Sequence, residues 1–269
     1  MTLSDIGKID RIRARYGHAL ASHSGLSLFI YEQEQGLEVT VREDGFSVRT
    51  RDGSYLFPVG SDGYKKDFIL RRKGVRLIMM REEDVLFTQS VLPDFEAVHD
   101  RDRDEYVYDR AEQASLEGHK FQKIRAKLSR FYRENDVVNV PIDENNIKDA
   151  YSILEKWTPK AGEGDAAGAG KALDNFRALG LSGMITYIGG VPSGYCCGGD
   201  IGGVYMLCSA KQISDVQGLN LSTKHELFKT LPEHITLINT ESDHGSPGIR
   251  MHKNDQRPVM MNEVYTGTL

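Results

Sequence analysis

Apolar positions change their period several times along the chain. Over residues 4–21 they recur as Ile6, Ile9, Ile12, Tyr16 and Leu20, the spacing of one helix face, and Ser4 or Asp5 can cap the first turn. Short apolar or alternating runs follow at 26–31, 37–42, 46–50 and 55–58, and each reads as a strand. Glu34-Gln35-Gly36, Asp44-Gly45 and Asp52-Gly53 separate them, and the last two favour tight hairpins. The pattern predicts a helix followed by an antiparallel meander. Beyond it come a helix within 60–74, a strand at 75–80 and a helix at 81–92 that stops at Pro93. Residues 95–99 and 106–109 predict two strands, joined across the charged run 100–105, which reads as a solvated hairpin tip. His18 and His23, near the end of the first helix, read as surface or capping histidines.

The second half opens with a helical turn at 111–116, stopped by Gly118. Residues 119–133 predict an amphipathic helix with Phe121, Ile124, Leu128 and Phe131 on its apolar stripe. Lys120, Lys123, Arg125, Lys127, Arg130 and Arg133 give it six cations with no intervening acid. A strand at 137–140 and a helix from an Asp143 or Asn145 cap to about Trp157 come next. Residues 159–170 read as a flexible loop rich in Gly and Ala, and 171–179 as a helix ended by Gly180. Gly168-Ala169-Gly170-Lys171-Ala172 is not a phosphate loop, because Asp165 and Ala172 stand where Gly and Ser or Thr are needed. Strands are predicted at 182–188, 194–200 and 204–209, a helix at 219–231, and strands at 235–238 and 259–265. The fold class is α/β with mixed sheets. Two halves, 1–116 and 117–269, each carry a helix folded across a central sheet, although no residue-level repeat is visible.

Composition narrows the class. With 269 residues, 39% of them hydrophobic, the chain can build a core without disulfide staples. A net charge of −5 argues against general coating of nucleic acid. Three cysteines, two of them adjacent, suit buried free thiols in a reducing compartment, and the histidines and cysteines lack the spacing of a metal site. The N-terminus has no signal-peptide pattern and no apolar run approaches a membrane span, so the expected location is cytoplasmic.

Chemistry concentrates in the stretch from Asn239 to Lys253. The strand predicted at 235–238 leads into it, and Glu241 and Asp243 would share one side of an extended chain. Gly245, Pro247 and Gly248 predict an irregular loop there, closed by Arg250 and Lys253. Such a loop after a buried strand suits a base, Glu241 or Asp243, beside the anion ligands Arg250 and Lys253. The basic helix, through Lys120, Lys123 and Arg125, suits phosphate groups of a donor or of a lipid headgroup.

Three stretches resemble the phosphatidylglycerol lysyltransferase C-terminal-domain family. The first joins Tyr106-Val107-Tyr108 to Leu116, Gly118, Lys120, Lys123, Arg125, Arg130 and Phe131. The second has Ala172, Asn175, Phe176, Leu179, Gly180 and Gly183. The third is Asn239, Glu241, Asp243, Gly245, Gly248, Arg250 and Lys253. The resemblance implies tandem GNAT-like (N-acetyltransferase-like) domains, similar to lysyl-phosphatidylglycerol synthases and Fem-type aminoacyltransferases. It implies an acyltransferase, moving an aminoacyl group from a tRNA-borne donor to an amine or hydroxyl, with a tRNA-borne or lipid phosphate as partner. Asn239 joins the anion ligands on this reading. A GNAT fold seats the pyrophosphate of acyl-CoA at a glycine-rich helix N-terminus. Here that place is Asp215-Val216-Gln217-Gly218, where only Gly218 fits and Asp215 opposes an anion. Acyl-CoA is therefore disfavoured, and no cofactor is required. The alternatives are a CoA-dependent N-acyltransferase and a binding or regulatory protein on the same scaffold, with Glu241, Asp243, Arg250 and Lys253 as an ion-pair network.

Overall fold

The computed structural model describes residues 1–157, 165–213 and 215–269. In chain order the elements are α1 (Leu3–Arg15), α2 (Gly25–Gln35), β1 (Glu38–Val41), β2 (Gly45–Arg49), β3 (Tyr55–Gly60), α3 (Asp62–Leu70), β4 (Arg76–Met80), α4 (Glu82–Val91) and β5 (Ala97–His99). The middle of the chain forms β6 (Glu105–Asp109), α5 (Arg110–Ser115), α6 (Gln122–Glu134), β7 (Val137–Pro141), α7 (Ile147–Lys156), α8 (Ala166–Asp174), β8 (Ser182–Ile188), β9 (Val191–Asp200) and β10 (Val204–Gln212). It ends with α9 (Leu219–Thr230), β11 (Leu237–Asn239), α10 (Pro247–Asp255), β12 (Met260–Asn262) and β13 (Tyr265–Thr268).

Two compact units contain these elements. The first is Met1–Tyr106, Glu241–Arg250 and Met260–Leu269; the second is Val107–Thr240 and Met251–Val259. The division at 116 expected from the sequence is contiguous, whereas these units interleave along the chain.

In the first unit one sheet has the order β1-β2-β3-β4-β13-β5. The predicted hairpins hold for β1 to β3, then β4 joins β3 in parallel. Ile9, Leu28, Phe46, Val48, Leu56 and Ile78 pack into one core cluster. Phe57, Phe68, Leu77, Met80 and Phe95 form another.

Four expectations fail in this unit. The first helix, expected over 4–21, ends at Arg15. Residues 26–31 belong to a helix, α2, not a strand. Ser24 caps it by accepting a hydrogen bond from Ser27 N, and Gly36 ends it in the left-handed conformation. Every residue from Gly25 to Tyr31 is buried, so that stretch shows no polar face and its apolar run mimics a core strand. His18 and His23 are buried, not superficial, with ring centroids 4.0 Å apart. The charged run 100–105 is not a solvated tip: Asp104 and Glu105 are each 2% exposed. Asp104 accepts from Val264 N at 2.9 Å and meets His99 at 3.0 Å. Glu105 accepts from the N–H groups of Ala21 and Ser22. β5 and β6 accordingly lie in different sheets rather than in one hairpin.

The second unit holds β6, β11, β10, β9, β8 and β7, adjacent in that order. β10 and β11 run parallel, connected by α9, while β7 to β10 form an antiparallel meander. Cys196, Cys197 and Cys208 are buried free thiols. Cys196 and Cys197 point to opposite faces of β9, and both faces are covered there. The expected helix at 171–179 lies earlier, at Ala166–Asp174, so the expected loop 159–170 is partly helical; residues 159–164 of it lie outside the described residues. The strand expected at 259–265 is divided into β12 and β13.

The stretch after Asn239 also departs from its expected irregularity, because Pro247–Asp255 is a helix. Pro247 occupies its first position, where a missing N–H costs nothing and the fixed φ favours helix entry. Ser246 O accepts from Arg250 N at 2.9 Å. No described helix is long and apolar enough to cross a membrane.

Candidate functional site

In the first unit, the chain leaves regular structure at Glu241, whose φ is +58°. Glu241 is partly exposed, and its Oε2 accepts from the Tyr31 hydroxyl at 3.1 Å. Two residues on, Asp243 is fully buried. Its Oδ2 accepts from Tyr106 OH at 2.6 Å and from Arg250 Nε at 2.9 Å. Its Oδ1 accepts from Gly245 N and from Arg250 NH2, both at 2.9 Å. Arg101 approaches Oδ2 at 3.4 Å, and Arg250 also reaches Asp102 at 2.6 Å. Burial pushes the Asp243 carboxyl up, but the Arg250, Tyr106 and Gly245 donors outweigh it and hold its pKa at about 2. Asp243 is thus a permanent anion that fastens the loop, while Glu241 is the more accessible carboxylate.

The remaining expected residues lie in the second unit. Asn239 is buried on β11, opposite Val107 of β6. Lys253 is 8% exposed and donates to the Thr240 carbonyl at 2.5 Å. Lys120 bridges both oxygens of Glu112 at 2.6 and 2.7 Å. Arg125 donates to the carbonyls of Leu116 and Gly118, tying down the turn before its own helix. Lys123 is exposed. The cation-rich face of α6 therefore spends part of its charge on local structure.

A cavity of about 320 Å³ opens where β10 ends and α9 begins. Gly218 lies at its edge with φ of +99°, and a Cβ there would come within 2.8 Å of Phe131 Cβ. Ile124 and Lys127 of α6 line it, as do Gln212, Asp215, Asn220, His252 and Asp255; Lys120, Lys123 and Arg125 do not. Three buried polar atoms in this lining have no hydrogen-bond partner: Gln212 Oε1, Asn220 Oδ1 and His252 Nε2. Burial, then the charges of Lys224, Lys127 and Lys253, push the His252 pKa down to about 3. The imidazole is neutral near pH 7. A larger groove of about 1080 Å³ beside β1 contains none of the expected site residues. There Lys8, Arg11, Arg15 and Arg42 are matched by Asp5, Glu32, Glu38 and Glu43.

The profile of the family described as phosphatidylglycerol lysyltransferase, C-terminal, matches residues 14–266. The chain belongs to that family. A crystal structure of a conserved protein of unknown function from Bacteroides thetaiotaomicron is 24% identical, covers 100% of this chain and 98% of its own, and superposes with a TM-score of 0.91. L-PGS from Bacillus licheniformis is 12% identical over 97% of this chain and 91% of its own, with a TM-score of 0.67. FemX is 9% identical over 100% and 96%, with a TM-score of 0.64. At these identities the likeness is one of fold, and that fold is tandem GNAT-like. Comparison with curated protein sequences gives no match.

Sequence reasoning missed Tyr106 and Arg101 as partners of Asp243, and the Gln212, His252 and Asp255 side of the cavity, although it found the Asp215–Gly218 edge. It also missed Lys224, for which a signal existed. Leu221, Lys224 and Phe228 follow i, i+3, i+7 spacing, so a lysine interrupts the apolar stripe of α9.

Proposed function

We propose that this protein is an acyltransferase that moves an aminoacyl group from a phosphate-bearing donor of the aminoacyl-tRNA kind to an amine or hydroxyl acceptor. The observation that carries this reading is the family match over residues 14–266. The acceptor attacks the ester carbonyl, gives up its proton, and expels the donor hydroxyl. Glu241 suits the proton-accepting role, being partly exposed with a hydroxyl donor to orient it. Asp243 does not, because both of its oxygens are occupied by donors. Its part, with Arg250, is to fix the loop that carries Glu241.

Asp215 at the edge of the cavity weighs against a CoA pyrophosphate, since a carboxylate repels a multiply charged anion. The reading is tested by incubating the protein with labelled aminoacyl-tRNA or labelled acetyl-CoA and a panel of amine, hydroxyl and phospholipid acceptors. Label transferred from aminoacyl-tRNA, and lost in Glu241→Gln, supports it. Transfer from acetyl-CoA alone would replace the donor class. No transfer from either donor, in folded protein, would favour a binding role on the same scaffold.

A further inference from the structure

β1 is an edge strand: in the sheet of the first unit it pairs with β2 and has no strand on its other side. Alternation along the strand sorts its side chains onto two faces. Val39 and Val41 pack on the core cluster that holds Leu28 and Leu37, as does Ile12 of α1. Glu38, Thr40 and, just past the end of the strand, Arg42 are exposed on the opposite face.

The ladder with β2 fixes where the main-chain groups aim. Arg42 N donates to Gly45 O at 2.8 Å, so residues 42 and 45 form a hydrogen-bonded pair. Antiparallel ladders alternate such pairs with unbonded ones. Thr40 with Ser47 and Glu38 with Arg49 are therefore bonded pairs, whereas Val39 with Val48 and Val41 with Phe46 are not. The N–H and C=O groups of Val39 and Val41 are turned away from β2, toward the open edge.

This edge is complementary to itself. Laid antiparallel against a second β1 and centred on Thr40, Val39 faces Val41, Thr40 faces its own counterpart, and Glu38 faces Arg42 at both ends. The same register brings Val39 and Val41, which carry the outward groups, into bonded pairs with each other. Moving the centre to Val39 or Val41 loses both ion pairs, and centring on Val41 sets Glu38 opposite Asp44. The groove of about 1080 Å³ beside β1 has its cations matched by acids, so a second copy meets no excess of its own charge there. Other edges lack this fit. β5, at the far side of the same sheet, would set Glu96 against Asp100 in a pairing centred on Val98. β7, at an edge of the other sheet, ends on Pro141, which has no N–H to give.

We propose that two copies of this protein join through β1, antiparallel about Thr40, with Glu38 of each copy paired to Arg42 of the other and the sheet continued across the seam. The partner is a second copy of this chain, and the pairing is independent of the transfer reaction.

The test is sedimentation velocity of the whole protein over a roughly hundredfold range of concentration, with amide hydrogen exchange at both ends of that range. Wild type is expected to pass from monomer to dimer, and the N–H groups of Val39 and Val41 to exchange more slowly as it does. Glu38→Arg alone, or Arg42→Glu alone, sets like charges opposite each other at both ends of the seam and should weaken the dimer about tenfold or more. Both positions are exposed, so each variant should melt close to wild type. Glu38 also meets Arg49 of its own chain at 3.3 Å, so the decisive sample is an equimolar mixture of the two variants. One then offers cations at both positions and the other acids, and the mixture should form the dimer that neither forms alone.

A monomer at every concentration overturns the inference and leaves the edge to an extended segment of a different protein. A dimer that both variants keep, a mixture that stays monomeric, or a dimer in which Val39 and Val41 exchange as fast as in the monomer also overturns it. The exchange of wild type alone decides the matter should either variant fail to fold.

Discussion

Arg250 holds Asp243 at two points, Nε to Oδ2 and NH2 to Oδ1, each at 2.9 Å. Removing the guanidinium strands a fully buried carboxylate on Tyr106, the Gly245 N–H and a 3.4 Å contact with Arg101. Arg250→Ala is expected to destabilise the protein, though less than loss of one partner of a fully buried pair would, because the Arg250 side chain keeps 35% of its surface in water. Arg250→Lys should recover little, since an ammonium cannot make the parallel pair of bonds. Urea denaturation decides it; equal midpoints for wild type and Arg250→Ala would contradict the account.

Glu241 and Asp243 should separate by the kind of damage they cause. Glu241→Gln is predicted to lower the transfer rate by about a hundredfold or more with little change in melting temperature, as for loss of a general base. Asp243→Asn should lower the melting temperature first, since the amide NH2 faces donors. Kinetics on both variants, alongside thermal melts, tests the division. A Glu241→Gln protein with full activity would remove the assigned base.

The paired histidines predict an acid limb in stability. Burial lowers the His18 pKa from 6.5 to about 4 and sets His23 well below its ordinary value, even though Asp84 lies 3.6 Å from His18. The folded state therefore favours the neutral rings. Between pH 6.5 and about 4 the unfolded chain binds more protons, so stability is full above 6.5 and falls as pH drops toward 4. Urea midpoints measured at pH 7 and pH 4.5 should differ for wild type and differ less for His18→Leu, in which the buried His23 keeps its share of the effect. A wild-type midpoint that stays level over this range counts against the prediction.

Gly218→Ala should cost about 1–3 kcal/mol. A side chain at φ +99° is strained, and the new methyl would meet Phe131. The check is a chemical denaturation curve, with a midpoint equal to wild type as the contrary result.

How far the sequence could be read depended on whether each element meets water on one side. α6 was legible because Phe121, Ile124, Leu128 and Phe131 are buried while the cations between them are exposed. β8 to β10 were legible from their turns at Gly189-Gly190 and Gly202-Gly203, all at positive φ. α2 was not, because burial on every side erased its period. The loop after Asn239 is legible from its spacing, but its helix is not, because Pro247 and its flanking glycines suit a turn as well as the first position of a helix. Asp104 and Glu105 were misjudged for a different reason. Their partners are backbone N–H groups of Val264, Ala21 and Ser22, far away in sequence and silent in composition. Lys224 was overlooked among ordinary surface lysines, although its place on the stripe of α9 marked it as inward.

β13 lies between β4 and β5, hydrogen-bonded to both. A nascent chain presents β4 and β5 long before this middle strand exists, and it must synthesise every strand of the second unit in the interval. Until residues 265–268 emerge, the facing edges of β4 and β5 have no strand between them and remain open to mispairing. The first unit is thus begun first and finished last, and its sheet depends on delayed delivery of its own keystone.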